Sequence, residues 1–130
     1  MDEDTIADLF SAFGDVRTRR MFGGRGLYAD GLMFAIEVRG TIYLKADADL
    51  AAVLEGRGSA PFSYLANGAV RTMAGFWSVP EAALDDGDDL AMLARHSLAL
   101  ARAAAARKPL KTAGARSKPK SPSKKKTPRG

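Results

Sequence analysis

One histidine, no cysteine and fifteen carboxylates set narrow limits on the chemistry this chain of 130 residues can do. His96 has no second imidazole to share a metal with, and it leaves little room for a Ser-His-Asp or Cys-His arrangement. Without cysteine there is neither a disulfide framework nor a thiolate zinc site. Asp85-Asp86-Gly87-Asp88-Asp89 invites a calcium reading, yet it lacks the alternating ligand spacing and the distant bidentate glutamate of an EF-hand loop. A solvated helix start is the better expectation for it. No spacing selects a carboxylate pair, a metal-ligand set or a cofactor fingerprint. The chain is expected to be no enzyme and to need no cofactor.

The nearest approach to a small-anion site is Gly23-Gly24-Arg25-Gly26, a candidate backbone nest with Arg19, Arg20 and Arg25 as counter-charges. It has neither the Lys-Ser/Thr of a P-loop nor the strand-to-helix setting of a dinucleotide fingerprint. The plainer expectation is a bulge where a long strand bends. Arg19 and Arg20 project to opposite faces of a strand, so at most one of them meets a given ligand. Aromatic side chains offer a second surface. Tyr28, Phe34, Tyr43 and Trp77, the last beside Val79-Pro80, could stack unpaired bases or anchor a partner, although such rings are more often core and Phe34 is assigned there. Tyr43 and Lys45 share the strand face opposite Ile42 and Leu44 and are the better surface pair.

The strongest outward signal is charge. Residues 107–130 hold Arg107, Lys108, Lys111, Arg116, Lys118, Lys120, Lys124, Lys125, Lys126 and Arg129, ten cations and no acid. The other ten cations sit with all fifteen acids in residues 1–106, so the tail carries +10 and the body −5. The tail also holds Pro109, Pro119, Pro122 and Pro128, and it lacks the apolar surface that would offset its ordering entropy. It is expected to be a disordered extension, with a boundary between residues 1–106 and 107–130. The run Ser117 to Arg129 is similar to the Ser-Pro-Lys-Lys style repeats of linker-histone tails. Prolines would keep it extended along a phosphate groove, which implies DNA affinity without sequence reading. A merely solubilising tail, or one drawn to anionic lipid or to any polyanion, is the plainer alternative.

The elements that must position these residues alternate between two periods. Ile6, Leu9, Phe10 and Phe13 mark one helix face that Gly14 can end. Leu32, Phe34, Ile36 and Val38 line one face of a strand, and Thr41–Lys45 follows Arg39-Gly40 as another. With a strand somewhere in 16–29 and the Asp30-Gly31 turn, they predict a three-stranded meander. Asp47 or Asp49 can cap a helix through Leu50, Val53 and Leu54 that Gly56 or Gly58 closes. Phe62–Leu65 and Val70–Trp77 flank the hairpin signal Asn67-Gly68. Pro80 suits a first helical turn, and the stripe Leu90, Leu93, Ala94, Ser97, Leu98, Ala101 predicts a closing helix. The fold class is α+β in two layers: an antiparallel sheet of about five strands, order α-β-β-β-α-β-β-α.

Residues Arg19-Arg20-Met21-Phe22-Gly23-Gly24-Arg25-Gly26-Leu27-Tyr28-Ala29-Asp30-Gly31-Leu32-Met33-Phe34, with Tyr43-Leu44-Lys45, Phe76-Trp77-Ser78-Val79-Pro80-Glu81, Leu84-Asp85-Asp86 and Ala94-Arg95, resemble the N-terminal domain of the TfoX (Sxy-like) family. The resemblance covers roughly residues 4–105. It implies the same α+β fold and a role in transcription and competence regulation, with Arg19, Arg20, Gly23, Gly24, Tyr43, Lys45, Trp77 and Pro80 as family-motif or partner-surface residues. Family regulators carry a second, helical domain where this chain has the basic tail. Together these signals point to a nucleic-acid-associated regulator whose tail binds DNA and whose body meets a protein partner. The alternative is a stand-alone protein- or small-ligand-binding module with an incidental tail. The acidic N-terminus and the lack of a long apolar run argue against a signal peptide or a membrane span, so a cytoplasmic location is expected, with nucleoid association as one option.

Overall fold

Three two-residue turns set the sheet. Asp30-Gly31, Arg39-Gly40 and Asn67-Gly68 each place both residues at positive φ (53° and 78°, 54° and 85°, 53° and 79°). That is the turn whose twist matches a right-handed hairpin. In the computed structural model, residues 1–21 and 23–107 are described. The first helix, α1 (Glu3–Leu9), leads to β1 (Arg17–Met21), β2 (Gly24–Ala29), β3 (Leu32–Val38) and β4 (Thr41–Lys45). Then come α2 (Ala48–Gly56), β5 (Pro61–Ala66), β6 (Ala69–Ser78), the short α3 (Glu81–Leu84) and α4 (Gly87–Arg107). The strands form one antiparallel sheet in the order β1-β2-β3-β4-β6-β5.

The α+β architecture is as expected from the sequence, and the strand count is six where about five were expected. Residues 16–29 hold two strands because Gly23, at φ +70°, turns the chain between Met21 and Gly24. The expected bend at the glycines is therefore a hairpin, and the meander has four strands. The helical turn expected at Pro80, which stands at φ −59°, is the short α3, a separate element that the expected order did not count. The expected disorder of the tail beyond Arg107 lies outside the described residues.

A bulge corrects the expected faces of β3. Leu27 pairs with Ala35 and Tyr28 with Met33, so Phe34 is an additional residue in the ladder. Phe34 and Ala35, adjacent in sequence, both enter the core. Beyond them the alternation is reversed: Glu37 lies opposite Ile42 on the core side, and Ile36 lies opposite Tyr43 on the other. Leu32 and Phe34 therefore do not share a face with Ile36 and Val38. Such an insertion leaves no mark in a simple alternating pattern.

One layer of helices covers one face of the sheet. Ile6 of α1 and Phe10 at its C-cap, Leu50 and Leu54 of α2, and Leu90, Leu93, Ala94 and Leu98 of α4 meet Leu27, Phe34, Ile42 and Leu44 from the strands. Phe10 and Phe13 contact the Phe34 ring at centroid distances of 5.6 and 5.1 Å. The two longest helices start where carboxylates help them. Asp47 Oδ1 accepts from the Leu50 N–H at 2.9 Å, and Asp86 Oδ1 accepts from the N–H groups of Asp88 and Asp89 at 3.1 Å. Val53, expected within the α2 stripe, points to solvent. The predicted stripe of α4, from Leu90 to Ala101, is buried along its length.

Candidate functional site

The second face of the sheet carries no helix, and its side chains follow from the register. Opposed pairs share a face. Arg19, Gly26, Ile36, Tyr43 and Ser78 form one row from β1 to β6. Arg17 lies opposite Tyr28 and Lys45 opposite Phe76 on this same side, and Tyr64 lies opposite Arg71. The aromatic rings touch: Tyr43 meets Phe62 edge-on at 4.9 Å, and Phe62 stacks on Tyr64 at 5.8 Å with planes 20° apart. Arg19 stands over the Tyr28 ring at 5.6 Å, and the Lys45 Nζ stands over Phe76 at 5.9 Å. A side chain at Gly26 would begin 3.0 Å from Tyr28 Cε1 and from Met33 Sδ, so the glycine leaves room for these groups to close over the sheet.

Charge is divided between the two layers. The six strands contain six cations and one carboxylate, Glu37. Glu37 lies on the core side and is buried; its Oε2 accepts from the Gly40 N–H at 2.7 Å, and its Oε1 lies 3.9 Å from Arg25 Nε. Arg20 and Arg25 lie opposite each other on that side as well, in a shallow recess with Asp2, Glu3 and Asp4. There Thr18 Oγ1 donates to Glu3 Oε2 at 2.6 Å, and the Thr5 N–H holds the Asp2 carboxyl below the usual carboxylate range. The remaining four strand cations, Arg17, Arg19, Lys45 and Arg71, stand on the open face without a carboxylate among them. The other acids of the body belong to helices, caps, turns and the loop before β1.

The motif residues separate accordingly. Arg19 and Arg20 lie on opposite faces, and Tyr43 and Lys45 lie on the open one. Gly23 is in the turn. At Gly24 the position of a Cβ is only 2.1 Å from the Glu37 carbonyl oxygen of the neighbouring strand. The candidate nest thus meets a buried carboxylate at its wall, in a recess of about 360 Å³ shared by Arg20, Arg25, Glu37 and Arg39. Trp77 sits opposite Leu44 on the core side, half-buried, with Nε1 donating to the Ala74 carbonyl at 2.9 Å. Trp77 and Tyr43 therefore do not form one platform, and Pro80 is buried before α3. His96 is exposed on α4. Among the described residues no three His, Cys, Asp or Glu side chains are grouped to hold a metal, and no helix is long and apolar enough to cross a membrane. Tail residues Lys108, Lys111, Arg116, Lys118, Lys120, Lys124, Lys125, Lys126 and Arg129 lie outside the described residues, while Arg107 ends α4.

Sequence reading did not single out the β5–β6 arm. Only Phe76, Trp77 and Ser78 of the ten-residue β6 pair with β4, so Ala69–Met73 pairs with β5 alone as a projecting ribbon. Leu65 and Val70 are 74% and 70% exposed on it. The signal was the apolar Leu65 and Val70 flanking Asn67-Gly68, which reads equally as a buried strand. The model for the TfoX N-terminal domain matches residues 8–101, from α1 to the last turns of α4, whereas a search of curated proteins finds no match. With most of its length and all six strands inside that match, the chain belongs to the TfoX N-terminal domain family.

Proposed function

We propose that the chain is a non-enzymatic, nucleic-acid-associated protein of regulator type, in which residues 107–130 bind DNA without sequence preference and the body binds a protein partner. The observation that carries this reading is the placement of charge. Ten cations without an acid follow from Arg107, the last residue of α4, and the acidic cluster Asp85–Asp89 stands at the start of that helix. With 21 helical residues between the ends, the cationic segment begins roughly 30 Å from that cluster. Lysine-phosphate contacts give affinity by releasing counterions and read no bases. For the partner, the exposed apolar residues of the β5–β6 arm supply what a polyanion would not use. Membership of the TfoX family supports a role in transcription, with competence genes as the family's associated target and the cytoplasm or nucleoid as the place.

The test compares duplex DNA binding by the full chain with that by a variant in which Lys118, Lys120, Lys124, Lys125 and Lys126 are replaced by Gln. If about 5 to 8 phosphates are met, log K falls with log salt at a slope of about −5 to −7, and the variant loses ~4 units of that slope. Equal binding by the two proteins across the salt range would remove the tail from the mechanism.

A further inference from the structure

We infer that the open face of the sheet is a platform for single-stranded nucleic acid, a site separate from the tail and a ligand different from duplex DNA. The face presents two complementary chemistries. Tyr28, Tyr43 and Phe62 are half-buried, so their rings are held by neighbours while part of each remains open to a base. Around them stand Arg17, Arg19, Lys45 and Arg71, three of them exposed, with no carboxylate among the strand residues of the same side. Base-on-aromatic stacking tolerates any sequence, and cations beside the rings follow the backbone. The Arg19 guanidinium, over Tyr28, extends that ring as a further flat surface.

Charge decides between occupants. A second copy seated face to face by a two-fold axis would oppose this patch with itself, eight cations and no counter-charge. A duplex keeps its base faces stacked inside and offers the rings nothing, while unpaired bases can be splayed onto them. The body as a whole is negative, yet the open face of the strands is not: the acids belong to helices, caps, turns and a loop, apart from Glu37 on the core side.

The experiment uses the full chain with all ten cations of residues 107–130 replaced by Gln, so that the tail does not supply the affinity. It is titrated with fluorescein-labelled dT12 and with a 12-base-pair duplex. The expected result is tighter binding of dT12, with a salt slope of about −3 if four phosphates are neutralised. Tyr43→Leu should weaken dT12 binding about 10-fold at an unchanged circular dichroism spectrum, in line with the loss of one stacked base. Arg17→Gln with Arg71→Gln, at two exposed positions that leave the core untouched, should reduce the slope by about 1.4. Equal affinity for the two nucleic acids, or folded variants that bind dT12 as the parent does, would overturn the proposal. Displacement of dT12 by poly-glutamate at equal charge would overturn it in favour of an acidic polypeptide. The difference in duplex binding between the unmodified and the tail-substituted chain reports on the tail, so the two readings fail separately.

Discussion

Gly24 faces the backbone of Glu37 so closely that a methyl group at its Cβ would lie 2.1 Å from the Glu37 carbonyl oxygen. The obstacle is main chain, fixed by the β2–β3 ladder, and it has no rotamer by which to move away. Gly24→Ala should destabilise the protein by about 3 kcal/mol, the upper end of the overpacking range. Gly56 in α2 is the opposite case, with no atom within 4 Å of a Cβ. Gly56→Ala should leave stability unchanged or raise it by ~0.5 kcal/mol through the unfolded chain. Urea denaturation of both variants checks the pair, and equal effects would contradict the register of β2 on β3.

Arg57 and Asp89 tie the end of α2 to the start of α4 through two hydrogen bonds, of 3.1 and 2.5 Å. The bond from Arg57 holds the Asp89 carboxyl below the usual carboxylate range, and the same bond pushes the Arg57 guanidinium up. The folded state thus favours the ionised carboxylate. Its contribution is complete above the ordinary carboxylate pKa and is lost as pH falls through that value toward the lower folded one. The pair is partly open to solvent, so Arg57→Gln should cost only ~0.5 kcal/mol at pH 7, a fall in Tm of about 2–4 °C. Thermal unfolding followed from pH 7 to pH 2.5 should show the parent and variant converging at the acid end.

The Ser97 hydroxyl is buried against the sheet and finds no hydrogen-bond partner among the described residues. Its desolvation is uncompensated, and alanine is the better helix former. Ser97→Ala should raise stability by about 1 kcal/mol. Ser97→Leu should lower it by ~2 kcal/mol, since the residue has no exposed surface into which a longer side chain could turn. Chemical denaturation midpoints give both signs, and a destabilised alanine variant would mean that the hydroxyl is bonded.

Much of the fold was legible because it rests on local chemistry. The three turns required positive φ at Asp30, Arg39 and Asn67, and each was followed by the glycine that announces a hairpin. The alternation of β4 placed Tyr43 and Lys45 opposite Ile42 and Leu44 without any knowledge of a third dimension. What sequence could not give was pairing count. Whether Gly23 bends one strand or separates two depends on the ladder formed with β3, and the additional residue Phe34 reverses faces halfway along that strand. The open face was hidden for the same reason. Its cations come from three strands, β1, β4 and β6, and a body total of −5 averages them with acids that belong mostly to helices, caps and turns.

That division makes the folded part an electric dipole whose positive side is the helix-free layer. A polyanion approaching by diffusion would turn the molecule before touching it, bringing the rings round to meet the strand. The torque reaches only about a Debye length, roughly 8 Å at physiological ionic strength, so orientation in the cell would be a short-range event, sharper in dilute buffer than in salt.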